Sequence, residues 1–198
     1  MAEVEHAASI RPMPGNSVGG DAAVILEIGE VLWAVVIDVL GHGPDAYELA
    51  LRVVDQVQRV HPVGPGALLE ELHREFLGSR GFGAAVVSVD KRDGRVCHAG
   101  VGNVVARTLC GGERRFVSSD GVVGLRFRTP KEETVQLPHD GLVVMYTDGV
   151  SNRFGLAEYP MICSHEASEV VDTIVALFGK DHDDAGCIAL RYKATAAS

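Results

Sequence analysis

Apolar residues recur along this chain at two different intervals, and the changes between them mark its organisation. From Ala22 to Ile28, and again from Val31 to Val39, apolar residues dominate, and only Gly29 and Glu30 separate the runs. Two such runs joined by a two-residue linker containing Gly predict a β-hairpin. The interval then lengthens. Ala46, Leu49, Ala50, Val53, Val54, Val57 and Val60 fall at helical spacing, which predicts a helix from about Asp45 to Val60 with Pro44 near its first turn. Pro62, Gly64 and Pro65 break the chain, and Leu68, Leu69, Leu72 and Phe76 predict a second helix over Gly66 to Leu77. From Gly83 the strand period returns. Gly83–Asp90, Arg95–Ala99, Val104–Leu109, Arg114–Ser118, Val122–Phe127, Glu132–Leu137 and Leu142–Tyr146 read as short strands with turn residues between them, the pattern of antiparallel sheet. A third helix is predicted over Glu166 to Phe178, capped by Ser164, and a last strand over Cys187 to Tyr192. Residues 1–14, with Pro12 and Pro14, read as irregular, and the tail from Lys193 as frayed. Helices grouped around many antiparallel strands make the class α+β.

The ends of these strands carry the candidate chemistry. Antiparallel pairing of the first hairpin brings Asp21, before one strand, beside Asp38, at the end of the next. VVMYTDGVS repeats that pattern with Asp148 and Gly149, and HDDAG adds Asp183 and Asp184 before the last strand. Any one of these carboxylates has a local explanation as a turn or cap residue. Several at the margins of apolar strands point instead to a cluster. Clustered carboxylates resist ionising together unless cations neutralise them. Such a set suits hard divalent ions with oxygen ligands, Mg²⁺ or Mn²⁺, rather than zinc or copper. Two such ions can activate a bridging water for displacement at phosphorus.

Composition narrows the alternatives. A chain of 198 residues, 46% apolar and 23% charged, suits a single soluble domain over 1–198 with a substantial core. No apolar run approaches the ~20 residues needed to span a bilayer, and the acidic N-terminus does not read as a secretory signal. The net charge of −9 argues against sequence-independent nucleic-acid binding and against docking on an anionic membrane. Cys97, Cys110, Cys163 and Cys187 are widely spaced with no CxxC pair, so free, mostly buried thiols in a reducing cytoplasm are expected.

DVLGHG, YTDGVS and HDDAGCIALR, in this order and after GGD, resemble the metal-dependent (PPM, type 2C) serine/threonine protein phosphatases, and within them the bacterial SpoIIE branch. DVLGHGP, the strand Gly83–Asp90 and AGVGN (Ala99 to Asn103) are similar to the RsbX-type stressosome phosphatases. The resemblance covers nearly the whole chain. It implies a four-layer αββα sandwich with two Mn²⁺ or Mg²⁺ ions at one end, between two antiparallel sheets. By position, Asp38 would bridge both ions. Asp148 and Asp183 would complete one site, while Asp21 and the backbone carbonyl of Val39 would serve the other, with Asp184 the less favoured of its pair. A water between the ions would attack phosphoserine or phosphothreonine phosphorus, and His42 would protonate the leaving hydroxyl. The implied partners are phosphorylated stress-signalling scaffold proteins, RsbR- and RsbS-like, met by a monomeric enzyme.

The chain departs from its relatives at several points. Val39 stands where many have Gly, so the backbone there must suit a β-branched residue. No Arg lies close upstream of Asp21, and Arg11, ten residues before it, is not assigned to phosphate. A long insert over the site and a third-metal ligand are not evident. The main competing reading is a non-catalytic module that kept the fold and sequesters phosphorylated partners. Two other phosphohydrolase classes fit poorly: a haloacid-dehalogenase nucleophile would fall at Tyr146, and His182–Asp183 precedes a strand rather than lying on a helix.

Overall fold

In the computed structural model, the described residues run from 2 to 194. Five strands form sheet B in the order β10 (Glu133–Gln136), β5 (Arg95–Val101), β4 (Phe82–Asp90), β3 (Val31–Val39) and β2 (Asp21–Ile28). Five more form sheet A in the order β1 (Glu3–Arg11), β12 (Ala185–Lys193), β11 (Leu142–Tyr146), β6 (Val105–Leu109) and β7 (Arg114–Arg115). All the pairings within both sheets are antiparallel.

The alternation along β3 shows how the layers form. Trp33, Val35, Ile37 and Val39 pack against helices α1 (Pro44–Arg59) and α2 (Pro65–Glu75) on the outer face of sheet B. Leu32, Ala34 and Val36 point the other way, into the core shared with Val143, Met145, Ile188 and Leu190 of sheet A. The outer face of sheet A buries Val144, Tyr146, Cys187 and Ala189 against helix α3 (Ala167–Phe178). Strands with both faces covered are apolar at nearly every position, which is why their sequence reads as continuous runs. The result is the expected α+β architecture, two antiparallel sheets flanked by helices in an αββα sandwich.

The structure corrects several expectations. Residues 3–11 are a strand rather than irregular chain, paired with β12 over nine positions from Glu3–Lys193 to Arg11–Ala185. EVEHAASIR has few large apolar residues, and only Val4 is buried. Its strand state comes from the partner strand and not from its own pattern. Lys193, placed in the tail by sequence, ends β12, and residues 195–198 lie outside the described part. Of Arg114–Ser118, only Arg114 and Arg115 are strand. Val122–Phe127 is not one strand but a small hairpin, β8 (Gly121–Val122) and β9 (Arg126–Phe127). The turn contains Gly124 in the left-handed region at φ 84°, where a Cβ would also strike the Phe76 carbonyl at 2.6 Å. Glu166 caps α3, in a capping box with Glu169. Ser164 instead bonds the Met161 carbonyl at the end of a short 3-10 helix, Pro160–Cys163.

The cysteine expectation also fails in part. Cys110, at the end of β6, and Cys163 form a disulfide across 53 positions, while Cys97 and Cys187 are free. Their Cα atoms stand 5.5 Å apart, as such a bond requires. Spacing in sequence carries no trace of this contact, because the fold alone brings the two segments together. Arg191 fastens the same segment, with its guanidinium donating to the carbonyls of Asp140, Ile162, Cys163 and His165. Among the described residues no helix is long and apolar enough to cross a membrane.

Candidate metal centre

Asp21 and Asp38 are register partners, Asp21 opening β2 and Asp38 one residue from the end of β3. In β3, Asp38 is in phase with Leu32, Ala34 and Val36, so its carboxylate faces the gap between the sheets. Asp21 is directly opposite and shares that face. Val39, in phase with Ile37, buries its side chain against α1, and extended strand backbone suits a β-branched residue. Its position is thus explained without a glycine.

Sheet A meets this pair from across the gap. Thr147 follows β11, and its hydroxyl donates to Asp21 Oδ2 at 2.6 Å while accepting the Gly186 N–H at 2.9 Å. One side chain therefore ties both sheets together at the site. Asp148 is next, half-buried. Its Oδ2 accepts from the Asn103 carboxamide, and its backbone carbonyl accepts Lys180 Nζ at 2.5 Å. Gly149 is required by close approach: a Cβ there would collide with the Asp184 carbonyl oxygen. The DG pair of this turn is therefore a packing demand as well as a chemical one.

The two acids before β12 divide their roles. Asp184 is buried, and its oxygens accept the N–H groups of Met13 and Gly20 at 2.7 and 2.6 Å. It fixes the loop that leads into Asp21, and Gly19 lacks a Cβ that would collide with its carboxylate. Asp183 is half-buried and, among the described residues, accepts only the adjacent Asp184 N–H, at 3.0 Å.

Burial and mutual repulsion set the electrostatics. Burial, with Asp38 next and Asp184 and Asp183 adding to it, pushes the Asp21 carboxyl up to about 8 against the opposing Thr147 hydrogen bond. Burial, then Asp148, Asp183 and Asp184, pushes Asp38 up to about 7. Asp183 is raised by burial and then by Asp148, with Lys180 opposing. A desolvated set of carboxylates that raise one another in this way has excess negative charge for a cation to neutralise. The donor set is entirely oxygen, which fits Mg²⁺ or Mn²⁺. It is not a closed cage: among the described residues, no three His, Cys, Asp or Glu side chains are gathered into a metal-holding group.

His42 lies exposed in the turn between β3 and α1, with no side-chain hydrogen bond or ion pair among the described residues. Arg11 reaches this end of sheet A but donates to the Lys180 carbonyl at 2.7 Å. Sequence reasoning missed Thr147, Asn103 and Lys180 as site residues. The break GVGN is the one visible signal among them, since it is the loop by which the chain crosses from β5 in sheet B to β6 in sheet A.

A family model described as Stage II sporulation protein E (SpoIIE) matches residues 29–193. No curated protein matches the chain in sequence. Among solved structures, a chain from work on the bacterial stressosome, a modular system adapted to control secondary messenger signalling, is 26% identical. The match covers 96% of this chain and 100% of that one, with a TM-score of 0.87. RsbX in complex with magnesium is 18% identical with a TM-score of 0.80, over 98% of this chain and 99% of its own. The PP2C phosphatase domain of SpoIIE from Bacillus subtilis, with a fragment of its regulatory domain, is 14% identical with a TM-score of 0.81, over 99% of this chain and 64% of its own.

Proposed function

The chain belongs to the SpoIIE family, and from that premise we propose that it is a divalent-metal-dependent phosphoserine/phosphothreonine protein phosphatase. Its proposed substrates are phosphorylated scaffold proteins of a stress-signalling complex, RsbR- and RsbS-like. The observation that carries the reading is the meeting of Asp21 and Asp38 from one sheet with Thr147 and Asp148 from the other, with Asp183 beside them.

In this reading Asp38 would serve both ions, Asp148 and Asp183 would help to hold one, and Asp21 with the Val39 carbonyl would help to hold the other. Asp184 is left out because both its oxygens are committed to the backbone of Met13 and Gly20. When bound, the ions supply Lewis acidity toward phosphate oxygens and lower the pKa of water toward neutrality. Thr147 holds the Asp21 carboxylate toward the gap, and Asn103 orients that of Asp148. His42 is the proposed proton donor to the leaving hydroxyl, from an exposed position at the rim. The test is Mn²⁺-dependent release of phosphate from phosphorylated scaffold proteins of the same cell. No release at millimolar Mn²⁺ from any phosphoserine or phosphothreonine protein would end the proposal.

One observation favours the second reading, a binding module that sequesters phosphorylated partners: among the described residues the carboxylates do not form a closed cage. Metal titration by calorimetry separates the two, because a degenerate site gives no binding heat at millimolar Mn²⁺. The same titration tests Asn103. Groups that orient a metal ligand are typically worth about 10–100-fold in affinity. Asn103→Ala is therefore expected to weaken Mn²⁺ binding by about tenfold or more, with little change in the melting temperature of the metal-free protein. An unchanged dissociation constant would show that the Asn103–Asp148 contact has no part in the site.

A further inference from the structure

The segment between β6 and β10 opposes the charge of the rest of the chain. From Arg114 to Lys131 it holds Arg114, Arg115, Arg126, Arg128 and Lys131 against one acid, Asp120, in a chain of net charge −9. Arg114 is engaged by Glu133 at 2.6 Å. Arg115, Arg126 and Arg128 are exposed, and none forms an ion pair among the described residues.

This segment packs on the end of sheet B at which Asp38 lies. Val123 bridges Phe82, which is the β4 partner of Val39, and Ser119 bridges Val101. Two concavities open along it. One, of about 450 Å³, has Asn103, Arg115 and Phe116 in its walls and reaches Ser118. The other, of about 280 Å³, is lined by Asp120, Gly121, Arg126 and Arg128. They succeed one another along the chain at Ser118–Asp120, and the larger reaches Asn103, whose carboxamide touches Asp148.

We infer that this basic groove docks an acidic, extended segment of the phosphorylated substrate protein, and leads its phosphoserine past Asn103 to the carboxylate cluster. The inference rests on the phosphatase reading and adds the chemistry of the substrate's flanks. A protein of net charge −9 repels acidic partners at long range, so a local cationic strip determines which face they approach. Arginine suits the task because its planar fork matches carboxylate and phosphate groups. Contacts at an exposed rim act mainly on encounter and on salt dependence.

The test uses two labelled peptides carrying a non-hydrolysable phosphonate analogue of phosphoserine, one flanked by Glu and the other by Lys. Binding to the full chain is read by fluorescence anisotropy in Mn²⁺. The Glu-flanked peptide is expected to bind about tenfold more tightly, the size that a few exposed charge pairs supply. The preference should shrink as salt rises. It should vanish in Arg115→Glu/Arg126→Glu/Arg128→Glu and persist in Arg59→Glu, a remote change on α1. Equal binding of the two peptides by the parent, or a preference that survives the triple variant, overturns the inference. The measurement does not depend on turnover. A chain that binds the acidic phosphonate peptide but releases no phosphate from phosphoserine or phosphothreonine proteins would sink the phosphatase reading and leave the docking groove standing.

Discussion

Asp38→Asn is expected to remove Mn²⁺-dependent phosphatase activity while leaving the metal-free protein at least as stable as the parent. The first half follows from position. Asp38 faces Asp21 within its own sheet and is also in the field of Asp148, Asp183 and Asp184 across the gap. A residue shared by two ions carries more than a single electrostatic contact. Removing one donor from an oxyanion hole already lowers turnover by about 10²–10³-fold, so a loss of at least about 10³-fold is expected here. The second half follows from the same field acting without metal. The Asp38 carboxylate accepts no hydrogen bond from a described residue, and burial and its acidic neighbours disfavour its charge. A neutral amide of the same shape removes that repulsion. Turnover of p-nitrophenyl phosphate and of a phosphoprotein, beside thermal melting without metal, tests both halves. A variant that hydrolyses either substrate as well as the parent would show that Asp38 holds no catalytic ion. A variant that melts well below the parent would show that Asp38 supports the fold.

What could be read from the chain beforehand was local. Asp38 and Asp148 stand out because each follows an apolar strand and precedes a glycine turn. Asp21 follows from hairpin pairing alone. The resemblance favours Asp183 over Asp184 as a ligand, and in the structure both Asp184 oxygens accept backbone N–H groups, of Met13 and Gly20. Contacts between the sheets were not legible. Thr147 gains its role only when sheet A lies over sheet B, and Asn103 only where the chain crosses from one sheet to the other. The same holds for β1, a strand with a weak pattern that β12 recruits, and for Cys110–Cys163. Periodicity reports which face of an element is buried. It carries no information about which distant residue will stand opposite.

Without metal, the protein is expected to lose stability as pH rises from 6.5 to 8, and Mn²⁺ should restore it. The folded Asp21 and Asp38 carboxyls titrate at about 8 and about 7, against an ordinary value of 3.8. Between those limits the folded protein holds protons that the unfolded chain has released. Their contribution is complete below about pH 4 and is lost as pH rises through the folded values. His98 works in the opposite sense. It is fully buried in the core between the sheets, stacked on Phe116 at 4.7 Å, and burial lowers its pKa from 6.5 to about 4. The stability tied to its neutral ring is present above pH 6.5 and lost as pH falls through 4. The two effects oppose each other below pH 6.5, and above it the carboxylates act alone. At about 1.4 kcal/mol per unit for each group, the decline from pH 6.5 to 8 amounts to about 2–3 kcal/mol. For a chain of this length that is about 5–10 °C in melting temperature. Cations that take the place of the protons reverse the trend, so the rise in melting temperature on adding Mn²⁺ should be larger at pH 8 than at pH 6.5. Melting curves at both pH values, with chelator and with Mn²⁺, decide it. A flat metal-free profile over that window would mean that Asp21 and Asp38 do not share a desolvated field. An equal Mn²⁺ effect at both pH values would place the ion elsewhere.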